Sequence, residues 1–227
     1  MKNAIFALLA SLVLAAGPAA AQLDKLSNQD AAGGLKAALE KGSTVAVGAL
    51  GRKDGFFGNP QVKIPLPESL KSAERLMRGV GMGKYADELV LTMNRAAEAA
   101  VPEAKQLFVG AIKQMSVQDA KGILTGGNTA GTEYFKRTTS EQLRAKFLPI
   151  VKNATQKVNL AAKYNEYAEK GAKFGLLKKE DANLDNYVTQ KSLDGLFFMV
   201  AEEEKKIRAN PVQAGSDILK KVFGALK

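Results

Sequence analysis

The stretch YADELVLTMNRAAEAAVPEAKQLFVGAIKQM, residues 85–115, decides the fold class of this chain. Its apolar residues recur at intervals of three and four, which is the period of an amphipathic helix. These positions are Ala86, Leu89, Val90, Met93, Ala97, Ala100, Ala104, Leu107, Phe108, Ala111, Ile112 and Met115. Pro102 interrupts the pattern and predicts either a kink or the start of a second helix, because proline lacks the N–H that a helix interior uses. The sequence therefore predicts helical structure over this whole stretch.

Helical patterns continue on both sides of it. Ser116 is a predicted N-cap with Asp119 three residues later, which begins a short helix ending near Gly126. Asp185 is expected to cap another helix, and Pro149 to interrupt a long one. The remaining predicted helices are 30–50, 68–78, 129–136, 140–167, 184–208 and 216–226.

One short segment does not fit a helix. Residues 54–60, DGFFGNP, are rich in turn formers, and the following residues 62–67 alternate apolar and polar positions around two prolines. Proline inside an extended run leaves at most an edge ribbon. The predicted fold is an all-α single-domain helical bundle with one short extended segment near residues 60–67.

The N-terminus has the layout of a secretory signal peptide. Lys2 precedes an apolar run over residues 4–16, Gly17 and Pro18 break that run, and three alanines follow at 19–21. The run is short for a transmembrane helix. We expect residues 1–21 to be removed, residues 22–227 to form one helical domain in the periplasm, and no transmembrane segment to remain after cleavage.

The absence of Cys, His and Trp limits the chemistry available. Without Cys and His the usual zinc and copper sites cannot be built, and neither Ser-His-Asp nor Cys-His catalysis is possible. Proton transfer would fall to Asp, Glu, Lys or Tyr with a shifted pKa. We therefore expect no metal, no cofactor and no catalytic residue, although an enzyme is not excluded.

The net charge of +10 favours anionic partners such as lipid headgroups, envelope polysaccharides or nucleic acid. Export argues against nucleic acid. The alternative is a protein that is simply basic and has no anionic partner.

A polar cluster on the helix of residues 85–115 is the best candidate for a ligand-binding site. Asn94 and Glu98 are four residues apart and share a face, with Arg95 beside them. Arg95 or Arg137 would hold an anion, and Asn94 and Tyr134 would orient it. The full candidate set is Asn94, Arg95, Glu98, Thr129, Tyr134, Arg137, Asp54 and Asn59. The alternative is a hydrogen-bonded set that only fixes helix register.

Four short segments occur together in this chain: DGFFGNP at 54–60, MNRAAE at 93–98, LDGLF at 193–197 and EEEKKIR at 202–208. In this combination the chain resembles a family of exported bacterial proteins described as a domain of unknown function. The resemblance covers nearly all of the chain after the signal peptide. It implies an all-helical periplasmic protein and brings no activity, cofactor or catalytic residue.

Three functions remain open at this point. The first is non-enzymatic binding or scaffolding of an anionic or amphipathic envelope component. The second is a carboxylate-based hydrolase acting on envelope glycans, which would need two acids facing each other across a cleft. The third is a structural partner of another envelope protein, which an exposed apolar patch on the last two helices would favour.

Overall fold

The computed structural model describes residues 28–158, 161, 164 and 183–211. Within these residues the chain forms α-helices and two 3-10 turns, and no strand. The helices are α1 (Asn28–Leu50), α2 (Lys71–Gly79), α3 (Gly83–Ala100), α4 (Ala104–Gln114), α5 (Val117–Thr125), α6 (Ala130–Thr155) and α7 (Leu184–Ala209). The prediction of an all-α bundle is confirmed. The predicted signal peptide and the predicted last helix at 216–226 lie outside the described residues.

The core forms where six helices pack together. Helix α6 packs against α7 and α3, while α1 packs against α7, α4 and α5. Phe108 of α4 lies 4.5 Å from Phe135 of α6 and 6.2 Å from Phe197 of α7, measured between ring centroids. Tilted aromatic pairs at these separations stabilise a core beyond the area that they bury. Helix α2 packs mainly against α3 and therefore lies at the edge of the bundle.

Local signals place several helix ends correctly. Pro102 lies in a 3-10 turn, Val101–Glu103, so it separates α3 from α4 and begins the second helix. The predicted cap at Ser116 is a complete capping box: the Ser116 hydroxyl accepts from the Asp119 N–H at 3.0 Å, and the Asp119 carboxylate accepts from the Ser116 N–H at 3.1 Å.

Two predictions about helix boundaries are wrong. Helix α6 runs without interruption through Pro149, so the predicted break there and the separate helices at 129–136 and 140–167 are not found in the described residues. Phe147 and Val151, which lie on either side of the proline, are fully buried. Their packing in the core favours a continuous helix here. Between the predicted helices 129–136 and 140–167 the chain is also helical. There the Thr139 hydroxyl donates to the Phe135 carbonyl, four residues earlier, at 2.6 Å.

The cap of α7 also differs from the prediction. Asn183, not Asp185, is the N-cap, and its side-chain oxygen accepts from the Asp185 N–H at 2.9 Å and the Asn186 N–H at 3.1 Å. Asp185 is buried and accepts a hydrogen bond from the Thr155 hydroxyl. It therefore joins α7 to the end of α6 instead of capping its own helix.

The segment between α1 and α2 follows the predicted alternation. Val62, Ile64 and Leu66 are buried while Lys63 and Pro65 are exposed, and no strand pairs with them. We call residues 51–67 the turn segment. Because it has no sheet partner, the buried backbone groups that its own turns leave unpaired must be bonded by side chains.

Candidate functional site

Glu98 binds the first part of the turn segment. Its carboxylate lies in the bundle, where one oxygen accepts from the N–H groups of Phe56 at 3.0 Å and Phe57 at 3.1 Å. The other oxygen accepts from the Arg95 guanidinium at 2.6 Å. A buried carboxylate with three donors is well compensated, so this contact fixes the turn to α3.

Asn94 binds the second part of the turn segment. Its side chain is fully buried and pairs with both backbone groups of Ile64: the amide oxygen accepts from the N–H at 2.9 Å, and the amide nitrogen donates to the carbonyl at 2.9 Å. The same nitrogen donates to the Val90 carbonyl at 2.8 Å. Asn94 thus replaces the neighbouring strand that the extended residues lack.

Arg95 joins these contacts to the tip of the turn. Its guanidinium donates to Asp54 at 2.8 Å as well as to Glu98, and the two carboxylates, Glu98 first, raise the pKa of Arg95 above its usual value. Asp54 has a φ of 64°, a left-handed conformation in which Asp is tolerated better than most residues. Asn59 holds the far side of the turn, with its amide nitrogen 3.9 Å from the Met199 sulfur of α7. We call Asp54, Asn94, Arg95 and Glu98 the polar network.

The aromatic part of the turn segment packs on α7 at a glycine. A Cβ atom on Gly195 would lie 2.7 Å from the ring of Phe56 and 3.2 Å from Val62, so only glycine allows this approach. The two sequence segments DGFFGNP and LDGLF therefore meet in the folded protein. Their contact, together with the polar network, fixes the position of the turn segment on the bundle.

The other three predicted site residues lie in a different place. Thr129, Tyr134 and Arg137 line a cavity of about 510 Å³ that Asp119 of α5 also lines. The Tyr134 hydroxyl donates to the Ala111 carbonyl at 2.9 Å, and burial raises the pKa of Tyr134. The Arg137 guanidinium lies 5.5 Å from the Tyr134 ring and 4.0 Å from the Asp119 carboxylate. The eight predicted residues thus form two groups and not one pocket.

The turn segment forms one wall of a groove of about 630 Å³. Helices α2 and α3 form the other walls, so the polar network sets the shape of the groove without lining it. The apolar lining residues are Phe57, Pro60, Pro65, Leu66 and Val90. The charged lining residues are Lys63, Lys71, Glu74, Arg78 and Asp87.

The two carboxylates of the groove are both bound by Arg78. Its guanidinium donates to Glu74 at 2.8 Å and to Asp87 at 2.6 Å. The hydrogen bond from Arg78 is the main reason that the pKa of Asp87 is lowered, so the ion pair persists at neutral pH and is lost only as the pH falls through that lowered pKa. Arg78 thereby ties α2 to α3.

Lys63 of the groove forms no ion pair in the described part of the chain, although its charge helps Arg78 to lower the pKa of Asp87. Its ammonium lies 4.1 Å from the centroid of the Phe57 ring. Among the residues that the structure describes, no carboxylate comes within ion-pair distance of it. A cation over an aromatic face, beside apolar walls, offers one charge and one apolar surface to the same ligand.

A comparison with known proteins gives a family. Residues 25–224 match the profile of the family described as protein of unknown function (DUF4197). The chain belongs to the DUF4197 family. No curated protein and no solved structure matches it.

The geometry of this DUF4197 chain bears on the hydrolase hypothesis. A glycosidase-type pair needs one acid whose pKa is raised. The groove instead holds two carboxylates that share one guanidinium, and the pKa of Asp87 is lowered. This arrangement stabilises the carboxylate form and does not favour the hydrolase.

Across residues 28–158 and 183–211, no three acidic side chains gather in a way that could hold a metal ion. None of the helices in the described part of the chain combines the length and apolarity needed to cross a bilayer. Of the last two predicted helices, only α7 is described, and its Phe198 is exposed.

The sequence did not predict which residues line the groove of this DUF4197 chain. It also did not predict that the Glu204 carboxylate is buried. Glu204 and Arg208 lie four residues apart on α7 and form an ion pair at 2.9 Å in which Glu204 is buried. Its oxygens also accept from the N–H groups of Gly131 and Thr132, at 2.9 and 2.8 Å. The available signal was its spacing, four residues after Val200 on the buried stripe of α7.

Proposed function

We propose that the groove binds an amphipathic anion of the cell envelope, a molecule with an acyl-sized apolar part and a phosphate or carboxylate head. The observation that carries this proposal is the position of Lys63, whose ammonium lies over the Phe57 ring beside the apolar walls of the groove and forms no ion pair with a described carboxylate. The protein acts as a non-enzymatic binding module, because the carboxylates of the groove are occupied by Arg78.

Size and surface chemistry support this function. Pockets for small molecules usually measure about 300–1,000 Å³ and combine apolar walls with a few polar groups, which describes this groove of about 630 Å³. An apolar chain gains about 25 cal/mol for each Å² removed from water on the walls formed by Phe57, Leu66 and Val90. The head group gains a charge-assisted hydrogen bond from Lys63.

The binding test uses three ligands with the same chain and different heads. Decyl phosphate, decyl maltoside and decyltrimethylammonium are titrated by calorimetry below the concentrations at which they form micelles. We expect decyl phosphate to bind most tightly, and Lys63→Gln to weaken it about tenfold while leaving decyl maltoside unchanged. Lys105→Gln is the matched control, because Lys105 is exposed on α4 and outside the groove. Equal affinity for all three ligands, or no binding, would contradict the proposal.

The proposal also includes export. It is supported by the sequence pattern of residues 1–21, a basic start followed by an apolar run and small residues. We expect the protein from the periplasmic fraction to have an intact mass corresponding to a chain that begins at Gln22. A chain that keeps Met1 and stays with the cytoplasmic fraction would rule out a periplasmic ligand.

A further inference from the structure

The connection between α2 and α3 carries an unusual concentration of exposed apolar side chains. Leu76 is 72% exposed, Val80 64%, Met82 46% and Tyr85 42%. The other large apolar side chains exposed in the described residues are spread over different helices: Val45, Leu91, Val117 and Phe198. We call residues 75–86 the hairpin tip. Clustered apolar exposure of this kind marks an interaction surface, whereas single exposed residues do not.

The backbone of the hairpin tip is held in one conformation. Helix α2 ends in a Schellman motif, in which the Met82 N–H donates to the Met77 carbonyl at 2.8 Å and the Gly81 N–H donates to the Arg78 carbonyl at 3.2 Å. Gly81 has a φ of 78°, which glycine adopts without strain. The fixed turn keeps the apolar side chains directed outward instead of letting them fold back on α3.

The charged side chains of the tip itself are basic, the acids at its two ends, Glu74 and Asp87, are both bound by Arg78, and Glu88 is exposed one residue further along α3. Residues 75–86 contain Arg75, Arg78 and Lys84 and no acidic residue. Within the described residues the Arg75 guanidinium donates to the nearby Ser72 hydroxyl at 3.3 Å, and the Lys84 ammonium lies 5.2 Å from the centroid of the Tyr85 ring. Two exposed cations beside four exposed apolar side chains match a surface that is negative outside and apolar beneath. An anionic lipid bilayer has this layering.

We propose that the hairpin tip docks on an anionic phospholipid bilayer. Leu76, Val80 and Met82 insert among the headgroups, while Arg75 and Lys84 bind lipid phosphates. Val80 follows the last residue of α2, and its N–H donates to the Leu76 carbonyl at 3.2 Å, which places it one turn beyond Leu76. Docking uses a different surface from the groove and does not require a groove ligand. Because Arg78 belongs to the tip and lines the groove, docking also brings the groove close to the lipid surface.

The first test is flotation with vesicles of phosphatidylglycerol and phosphatidylcholine in equal parts, compared with phosphatidylcholine alone. We expect binding to the anionic vesicles and a loss of about tenfold or more in the variant Leu76→Ser/Val80→Ser. The matched control is Val45→Ser/Val117→Ser, which removes two exposed valines from other helices. All variants are prepared in the same way, and their intact masses are measured. If residues 4–16, the apolar run of the predicted signal peptide, are still present and bind vesicles, they do so equally in every variant.

The second test uses the absence of Trp from the chain. Tyr85→Trp places a single fluorophore in the tip, and Phe198→Trp places one at a similarly exposed position on α7. We expect anionic vesicles to shift the emission of the first variant to the blue and to leave the second unchanged. Absence of vesicle binding, equal binding to both lipid compositions, or equal loss in the tip and control variants would each overturn the proposal.

The two proposals can fail separately. Lys63→Gln is expected to keep full vesicle binding, because Lys63 lies outside the tip. Leu76→Ser/Val80→Ser is expected to keep the affinity for decyl phosphate, because neither residue lines the groove. If Lys63→Gln weakened vesicle binding, or Leu76→Ser/Val80→Ser weakened decyl phosphate binding, the assignment of that activity to its surface would be wrong.

Discussion

Replacing Glu204 by alanine is expected to lower the free energy of unfolding by about 3–5 kcal/mol, the range for breaking a buried ion pair. The change removes the acceptor for the N–H groups of Gly131 and Thr132 at the start of α6. It also removes the Glu204 carboxylate from the Arg208 guanidinium, whose side chain is 10% exposed. The N-cap residue Thr129 makes no side-chain capping bond, so Glu204 is the group that caps α6.

Urea denaturation followed by far-ultraviolet circular dichroism measures this effect, since the chain has no Trp to report by fluorescence. Glu202→Ala is the control, because Glu202 pairs with Lys205 at the surface and such pairs contribute about 0.2–1 kcal/mol. Glu204→Gln is expected to fall between the two, since it keeps an acceptor for the N–H groups and loses the charge. Equal costs for Glu202→Ala and Glu204→Ala would show that Glu204 does not cap α6.

Replacing Glu98 by alanine is expected to cost about 2–4 kcal/mol and to abolish binding in the groove. The N–H groups of Phe56 and Phe57 lose their acceptor, and each buried donor left unpaired costs about 1–3 kcal/mol. Arg95 adds less to the loss, because its side chain is 32% exposed and can be rehydrated. Without these contacts the turn segment no longer holds Phe57 and Lys63 in the wall of the groove.

Three measurements separate these effects. Denaturation gives the change in stability, hydrogen exchange of residues 51–67 reports release of the turn segment, and calorimetry with decyl phosphate reports the groove. Glu88→Ala is the control, since Glu88 is exposed on the same helix and outside the groove. If Glu98→Ala left exchange in the turn segment unchanged, the polar network would not be what positions it.

The predicted site residues separate into two groups in the structure, which shows what residue spacing can reveal. Asn94, Arg95 and Glu98 were found because they are close in the chain and share a face of one helix, a relation that spacing alone reveals. Spacing does not reveal that their partners are Ile64, Phe56 and Asp54. In the structure the polar network binds the turn segment of the same chain. This role resembles the alternative of a hydrogen-bonded set that fixes helix register, except that the polar network fixes a loop.

The sequence by itself determined the all-helical class, the turn-rich segment at residues 54–60 and the cap at Ser116. Helical periodicity and the Ser116–Asp119 capping box depend on interactions within one or two turns of chain, so the residues that form them can be read together. The same holds for the alternating residues 62–66, whose buried and exposed sides match the pattern.

Only the tertiary structure decided which polar groups are buried together and where a ligand could bind. Glu98 meets Phe56 across 42 positions and Glu204 meets Gly131 across 73, distances over which no local pattern constrains pairing. Packing of Phe108, Phe135 and Phe197 brings the helices together. Burial then selects which carboxylates must find donors, because an unpaired charge in the core is too costly to keep.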